Sequence, residues 1–244
     1  MASVWNALRN ISSDSWWAVK LLVLATPVYF IVDGTFLSPL TEDEKLVVYI
    51  VLGAFYLGFA GVLMHRNINN KTPLMPSLFG IPELIAKSIC MSLVSMPLFI
   101  LYYACINAIN THVVFEPFIM WVIYICVTLF FSPFLFIPAV LYSVNGKISD
   151  AFNFKCLIEG GGNFSVQILS FAIQYFFTIF FVSYLFYQLF INMVNDTTAL
   201  NIIISIAGVL SFLTFYSFCS DMYNEQIPPL PEKKKKKKSK TVDS

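Results

Sequence analysis

The sequence predicts an all-α, polytopic bundle that crosses a membrane six times. Three observations carry that expectation. The 244 residues are 58% hydrophobic and only 12% charged, whereas an ordinary soluble domain is about 45–50% apolar and about 25% charged. Too little polar surface is left to cover a globule in water, and lipid is the solvent that accepts the rest. Six apolar stretches, 18–37, 46–64, 84–109, 117–142, 164–193 and 199–220, match the ~20 residues that one helical crossing needs. Long, continuously apolar runs are not the short alternating strands of a membrane β-barrel. With six crossings, Arg9, Lys20, Arg66, Lys71, Lys87, Lys147, Lys155 and all seven tail lysines share one side, and only Lys45 falls on the other. Basic residues mark the cytoplasmic side, so the chain is expected in the cell membrane with both termini cytoplasmic.

Before the first span, Val4, Trp5, Leu8 and Ile11 recur at helical spacing. They predict a short amphipathic helix over 3–12 lying on the interface, anchored by Trp16 and Trp17. The first span is not a cleaved signal, because Asp33-Gly34-Thr35 follows it instead of a small-residue cleavage site. The second span leads into an inner loop, 65–83, with prolines at 73, 76 and 82, too dense for one continuous helix. Pro82-Glu83 is a good start for the third helix, with proline in the first turn and an acid at the positive end of the dipole. The fourth span carries Pro133 and Pro138, which can kink a helix and free backbone carbonyls.

The second inner loop predicts a short interfacial helix over 149–158. Ser149 or Asp150 would cap it and Gly160-Gly161-Gly162 would end it, with Phe152 and Phe154 resting on lipid or on a partner. Val62-Leu63 precedes Asn67 with the spacing by which Val140-Leu141 precedes Asn145, a faint hint of a parallel internal repeat. The fifth span exceeds what a bilayer requires and is expected to tilt or project.

The chain divides into a six-helix domain, 1–227, and a tail, 228–244. The tail opens with Pro228-Pro229-Leu230-Pro231, which favours an extended spacer. Lys233, Lys234, Lys235, Lys236, Lys237 and Lys238 follow, a self-repelling block expected to be disordered. The tail carries +5 and the remainder −4. A solvated tail of topogenic value and contact with anionic lipid headgroups are both open readings of the block. No aromatic is interleaved among the lysines, so a stacking platform for nucleic-acid bases is missing.

Sites of chemistry are sparse. The centres of the six runs hold no Asp, Glu, Lys, Arg or His, which speaks against proton-coupled transport. His65 and His112 are expected on opposite sides of the membrane. The five cysteines have no metal-type spacing, and no Gly-x-Ser-x-Gly or P-loop occurs. No catalytic residue, metal ligand or cofactor is expected. Gln174 and Gln188, with Pro133 and Pro138, are the candidates for lining a cavity; interhelical hydrogen bonding is the plainer role for the two glutamines.

Ala7-Leu8-Arg9 with Ser13-Asp14-Ser15-Trp16, Gly58-Phe59-Ala60-Gly61 running into His65-Arg66-Asn67-Ile68 with Pro73-Leu74, and Asp150-Ala151-Phe152-Asn153-Phe154 together resemble a prokaryotic family of polytopic membrane proteins classed as a domain of unknown function, of the four-zero-one-three type. The resemblance spans nearly the whole chain and implies several helices with amphipathic inner linkers; it implies no activity and no catalytic residues. The chain lacks that family's acidic, Trp-bearing linker after Pro73, and its poly-lysine tail stands apart from the family pattern. The expected role is a non-catalytic accessory or scaffold subunit of a membrane assembly, whose partners are the bilayer and other membrane proteins. A transporter or lipid-handling protein is the alternative, and a membrane enzyme ranks third.

Overall fold

The computed structural model describes residues 2–71, 75–78, 80–112, 116–190 and 197–226, apart from the side chains of 154, 157, 179–190, 197 and 224–226. The described residues are helical without strands. Among the described residues eight helices follow in order: α1 (Val4–Ser12), α2 (Trp17–Asp33), α3 (Glu42–Ile68), α4 (Ile81–His112), α5 (Pro117–Asn145), α6 (Ile148–Ala151), α7 (Phe154–Phe190) and α8 (Thr197–Gln226). Four of them, α3, α4, α5 and α8, are long and apolar enough to cross a membrane, and α1 with α2 makes a fifth if that bent pair is one span.

Local chemistry sets most of the ends. The Ser3 hydroxyl accepts the Asn6 N–H at 3.2 Å and starts α1. Thr41 and Glu44 form a reciprocal capping box at the start of α3, satisfying two amides that the helix itself leaves open. Pro82 and Glu83 occupy the first turn of α4, and Pro117 opens α5. At the far end of α5 the backbone turns left-handed at Gly146, φ +68°, and its N–H donates to the Tyr142 carbonyl at 2.7 Å. A side chain at that φ is strained. Gly146→Ala is therefore expected to lower stability by about 1 kcal/mol, read as a small downward shift in the thermal midpoint.

The second inner loop differs from the helix expected over 149–158. Only Ile148–Ala151 form a separate turn, preceded by Lys147. The glycines at 160–162 lie inside α7 and do not end a helix. The break falls earlier because the Asn153 side chain accepts the Cys156 N–H at 3.4 Å, capping α7 ten residues before the apolar run begins. Glycine inside a helix costs only about 1 kcal/mol, and here α7 lies close to α5: a methyl at Gly161 would rest 3.6 Å from Pro133.

The helices pack at one end and spread at the other. Leu21 and Leu24 of α2, Phe59 to Met64 of α3, Leu84, Met91 and Val94 of α4, Ile137 to Tyr142 of α5, and Leu213 to Met222 of α8 hold the buried core. In the opposite halves, Leu46 and Val47, Ile100 and Leu101, Phe118 and Trp121, and Ile202 to Ile204 are exposed. Apolar surface of that kind suits contact with acyl chains. The packed end is the basic one, with Arg9, Lys20, Arg66, Lys71, Lys87, Lys147 and Lys155.

Helix α3 packs against α4, α5 and α8, and α2 lies along α8. Helix α7 travels between neighbours. The Ser165 hydroxyl donates to the Leu129 carbonyl of α5 at 3.1 Å, Phe171 meets Phe218 of α8 at 4.7 Å between ring centroids, and Gln174 reaches α1. Phe171, Phe215 and Phe136 continue that ring contact through α8 into α5.

Candidate functional site: a polar belt at the packed end

Three knots of polar side chains tie the helices together where the core is tightest. The first joins α1, α3 and α8. Helix α1 turns 102° away from α2 and lays its Val4, Ala7 and Ile11 face, almost fully buried, across the bundle. The Asn10 amide donates to both carboxylate oxygens of Asp221, at 3.2 and 3.3 Å. The Asn67 amide donates to the same carboxylate at 2.8 Å and to the Ser220 hydroxyl at 2.6 Å. A carboxylate at this depth needs such donors, and the two asparagines supply them from opposite sides.

The second knot fixes the elbow between α1 and α2. Asp14 is 4% exposed. Its carboxylate pairs with the Lys20 ammonium at 2.6 Å and accepts the Trp16 N–H at 2.9 Å. Burial favours the neutral acid, but the Lys20 ammonium, the Trp16 amide and the more distant Arg66 outweigh it, and the carboxyl sits below its ordinary value. Lys20 and Arg66 both donate to the Met75 carbonyl, each at 3.3 Å, so this knot also pins the inner loop after α3. Arg66 approaches Glu83 at the start of α4 at 4.0 Å.

The third knot joins α3 to α5. His65 Nδ1 lies 2.6 Å from the Ser143 carbonyl oxygen. A carbonyl only accepts, so Nδ1 carries the proton, and Nε2 is left for the Lys71 ammonium at 3.3 Å. Asn145, at the end of α5, donates to Asp150 at 3.0 Å. Asn67 and Asn145, the two positions matched by spacing, thus each bind an aspartate carboxylate at the end of a helix. Lys87 of α4 sits 4.9 Å above the Tyr142 ring of α5, a cation–π contact across the same end.

The residues singled out in the sequence fall elsewhere. Pro133 and Pro138 are buried in the inner half of α5, inside the packed core. Gln174 accepts the Val4 N–H at 3.4 Å and donates to the Ser170 hydroxyl at 3.1 Å. It holds the first turn of α1 by an amide that the helix leaves open. Gln174→Ala is expected to weaken the docking of α1 by about 1 kcal/mol, seen as roughly fivefold faster hydrogen exchange confined to residues 2–12. Phe152 is 40% exposed. The side chains of Phe154 and Gln188, and the whole of Lys233 to Lys238, lie outside the described residues. His112 ends α4, 29 residues from Glu83, which puts it about 44 Å of helix away from the end that holds His65.

Clefts open among the described residues. One, about 590 Å³, opens between the outer half of α3, Ile50 to Phe55, and residues 85–100 of α4, and Ser92 lies in its wall. The Ser92 hydroxyl is buried without a hydrogen-bond partner among the described residues. Another, about 320 Å³, runs beneath α1 between Trp5, Trp17 and Leu210. Neither is lined by Pro133, Pro138 or Gln174. Among the described residues no three His, Cys, Asp or Glu side chains gather as metal ligands would.

The polar belt was not visible as a site in the sequence. Asp14 and Lys20 stand six residues apart across a turn that periodicity does not register, and Asp221 lies 154 residues from Asn67. Comparison of the chain with family models, with curated proteins and with solved structures finds no match in any of the three.

Proposed function

We propose that this chain crosses the cell membrane six times, with the packed, basic end and both termini in the cytoplasm, and serves as a non-catalytic accessory or scaffold subunit of a membrane assembly. The observation that supports this reading is what the polar groups of the packed end do. Asp221, Asp14 and His65 are each held by side chains or carbonyls of another element. They stiffen one end of the bundle into a fixed face, on which Phe152 is exposed. A rigid face with exposed aromatic groups suits a stable partner.

Six crossings require α2 and α7 to span. Helix α2, at 17 residues, rises about 26 Å, a length that modest local thinning of the bilayer accommodates. Helix α7 has 37 residues and length to spare. In this reading 1–227 form the membrane domain and 228–244 a cytoplasmic extension, with Lys233 to Lys238 drawn to anionic headgroups. The likeness to the domain-of-unknown-function family then reflects common descent.

Purification of the tagged native protein in mild detergent, with mass spectrometry of everything retained, tests the role. A scaffold retains one stoichiometric protein partner and loses it when Phe152 and Phe154 become Ser, with the thermal midpoint unchanged. A partner retained equally by the double variant removes that face from the proposal.

The cleft between α3 and α4 favours a second reading, lipid handling. Its walls are apolar and Ser92 offers one unspent hydroxyl. That role predicts a co-purifying lipid that Ile89→Trp, at the cleft wall, displaces.

A further inference from the structure

We infer that the groove beneath α1 binds one anionic phospholipid from the leaflet at the basic end. The inference is independent of the subunit reading. Asn10 on Asp221 fixes the point where α1 crosses α8. Leu210, which lines the groove from α8, lies 11 residues from Asp221 towards the start of that helix, or about 16 Å of helix. Trp5 and Leu8 wall the groove from α1 and Trp17 walls it from α2.

Arg9 lines the groove. It is exposed and forms no ion pair among the described residues. Asp14 is committed to Lys20, and Asp221 to Asn10 and Asn67. Trp16, at the elbow, is 66% exposed, where an indole ring marks the headgroup level. The groove therefore presents a free cation at the interface and an apolar channel running from it along a candidate membrane-spanning helix. That is the polarity order of a phospholipid with an anionic head. The phosphate would meet Arg9, which can hold it through two N–H groups, and an acyl chain would lie along Trp5, Leu8, Trp17 and Leu210. A neutral lipid satisfies the channel but leaves the cation unmatched.

The test uses the full-length protein in mild detergent, with phosphatidylglycerol or phosphatidylcholine added in micelles. Native mass spectrometry counts retained lipid and thermal unfolding gives the apparent affinity. The expected result is one tightly held phosphatidylglycerol per chain, preferred over phosphatidylcholine. Arg9→Gln should weaken phosphatidylglycerol about fivefold, the increment of a single cation beside anionic headgroups, and leave phosphatidylcholine unchanged. Leu210→Trp narrows the groove and should weaken both. Replacing Lys233 to Lys238 by Gln should leave the retained lipid in place, which separates this site from the tail. Equal phosphatidylglycerol affinity of Arg9→Gln and the native chain overturns the inference. So does loss of the lipid in the tail variant alone, or a dimer that closes the groove without lipid.

Discussion

Gly58→Ala is expected to destabilise the bundle by roughly 3 kcal/mol, the upper end of the usual cost of overpacking, and to lower the thermal midpoint by roughly 6–12 °C for a chain of this size. Helices α3 and α4 approach most closely at this glycine. A methyl there would overlap the Ser88 hydroxyl and fall 2.7 Å from the Leu84 carbonyl oxygen and 2.8 Å from Ser88 Cα. The hydroxyl can rotate, but the other two atoms are backbone, so the helices themselves must part. Small residues at such contacts are how membrane helices associate without a hydrophobic driving force between them. Gly53, on the same helix, has nothing within 4 Å of its added Cβ. Gly53→Ala should therefore be neutral or stabilising by up to about 1 kcal/mol, since alanine is the better helix former. Thermal unfolding of both variants in detergent separates the two cases; equal effects would mean that helix propensity, and not the α3–α4 contact, decides.

Asp14→Ala is expected to cost about 3 kcal/mol, because removing one partner of a buried pair strands the other. The Lys20 side chain is only 14% exposed and keeps just the Met75 carbonyl. Asp14→Asn preserves an acceptor for the Trp16 N–H and should cost about half as much. The double change Asp14→Ala with Lys20→Met should recover much of the loss, since neither charge is then stranded. The pair also sets a pH dependence. The Asp14 carboxyl is held below its ordinary value, so its contribution is present above about pH 4 and is lost as the pH falls through the lowered folded value. Unfolding measured from pH 7 downwards should show that loss in the native chain and not in Asp14→Asn. An identical acid slope in both would place the titrating group elsewhere.

The helices were legible because lipid imposes a simple demand on them. The apolar runs 46–64, 84–109, 117–142 and 199–220 each lie within one long helix, and Pro82-Glu83 falls in the first turn expected of it. Caps are short-range chemistry: Asn153, three residues before Cys156, marks the start of α7, whereas the triple glycine after it is a stop signal that the helix passes through. Of the face Val4, Trp5, Leu8 and Ile11 read for α1, Val4 and Ile11 are buried and Trp5 is 70% exposed; that Ala7 would join them under α8 was not legible. The polar belt was the least legible part. The pairs that tie α3 to α5 and α1 to α8 join distant residues, 78 positions apart for His65 with Ser143 and 211 for Asn10 with Asp221. An asparagine at a helix end announces nothing about which distant carboxylate it will meet. Gln174 shows the same limit, since a glutamine within an apolar run could line a cavity or, as here, hold the first turn of another helix.

The topology is tested most directly by labelling single introduced cysteines with a membrane-impermeant maleimide, using intact and permeabilised cells and the native chain as blank. Asp43→Cys and Thr111→Cys lie at the spread end; Ser12→Cys and Ser149→Cys lie at the packed end, and Ser244→Cys reports the C-terminus. Six spans require the first pair to label in intact cells and the other three only after permeabilisation. Ser12 labelling together with Asp43 would show that α2 does not cross, and Ser244 labelling opposite to Ser149 would show an odd number of crossings after α6; either result contradicts the six-span membrane domain.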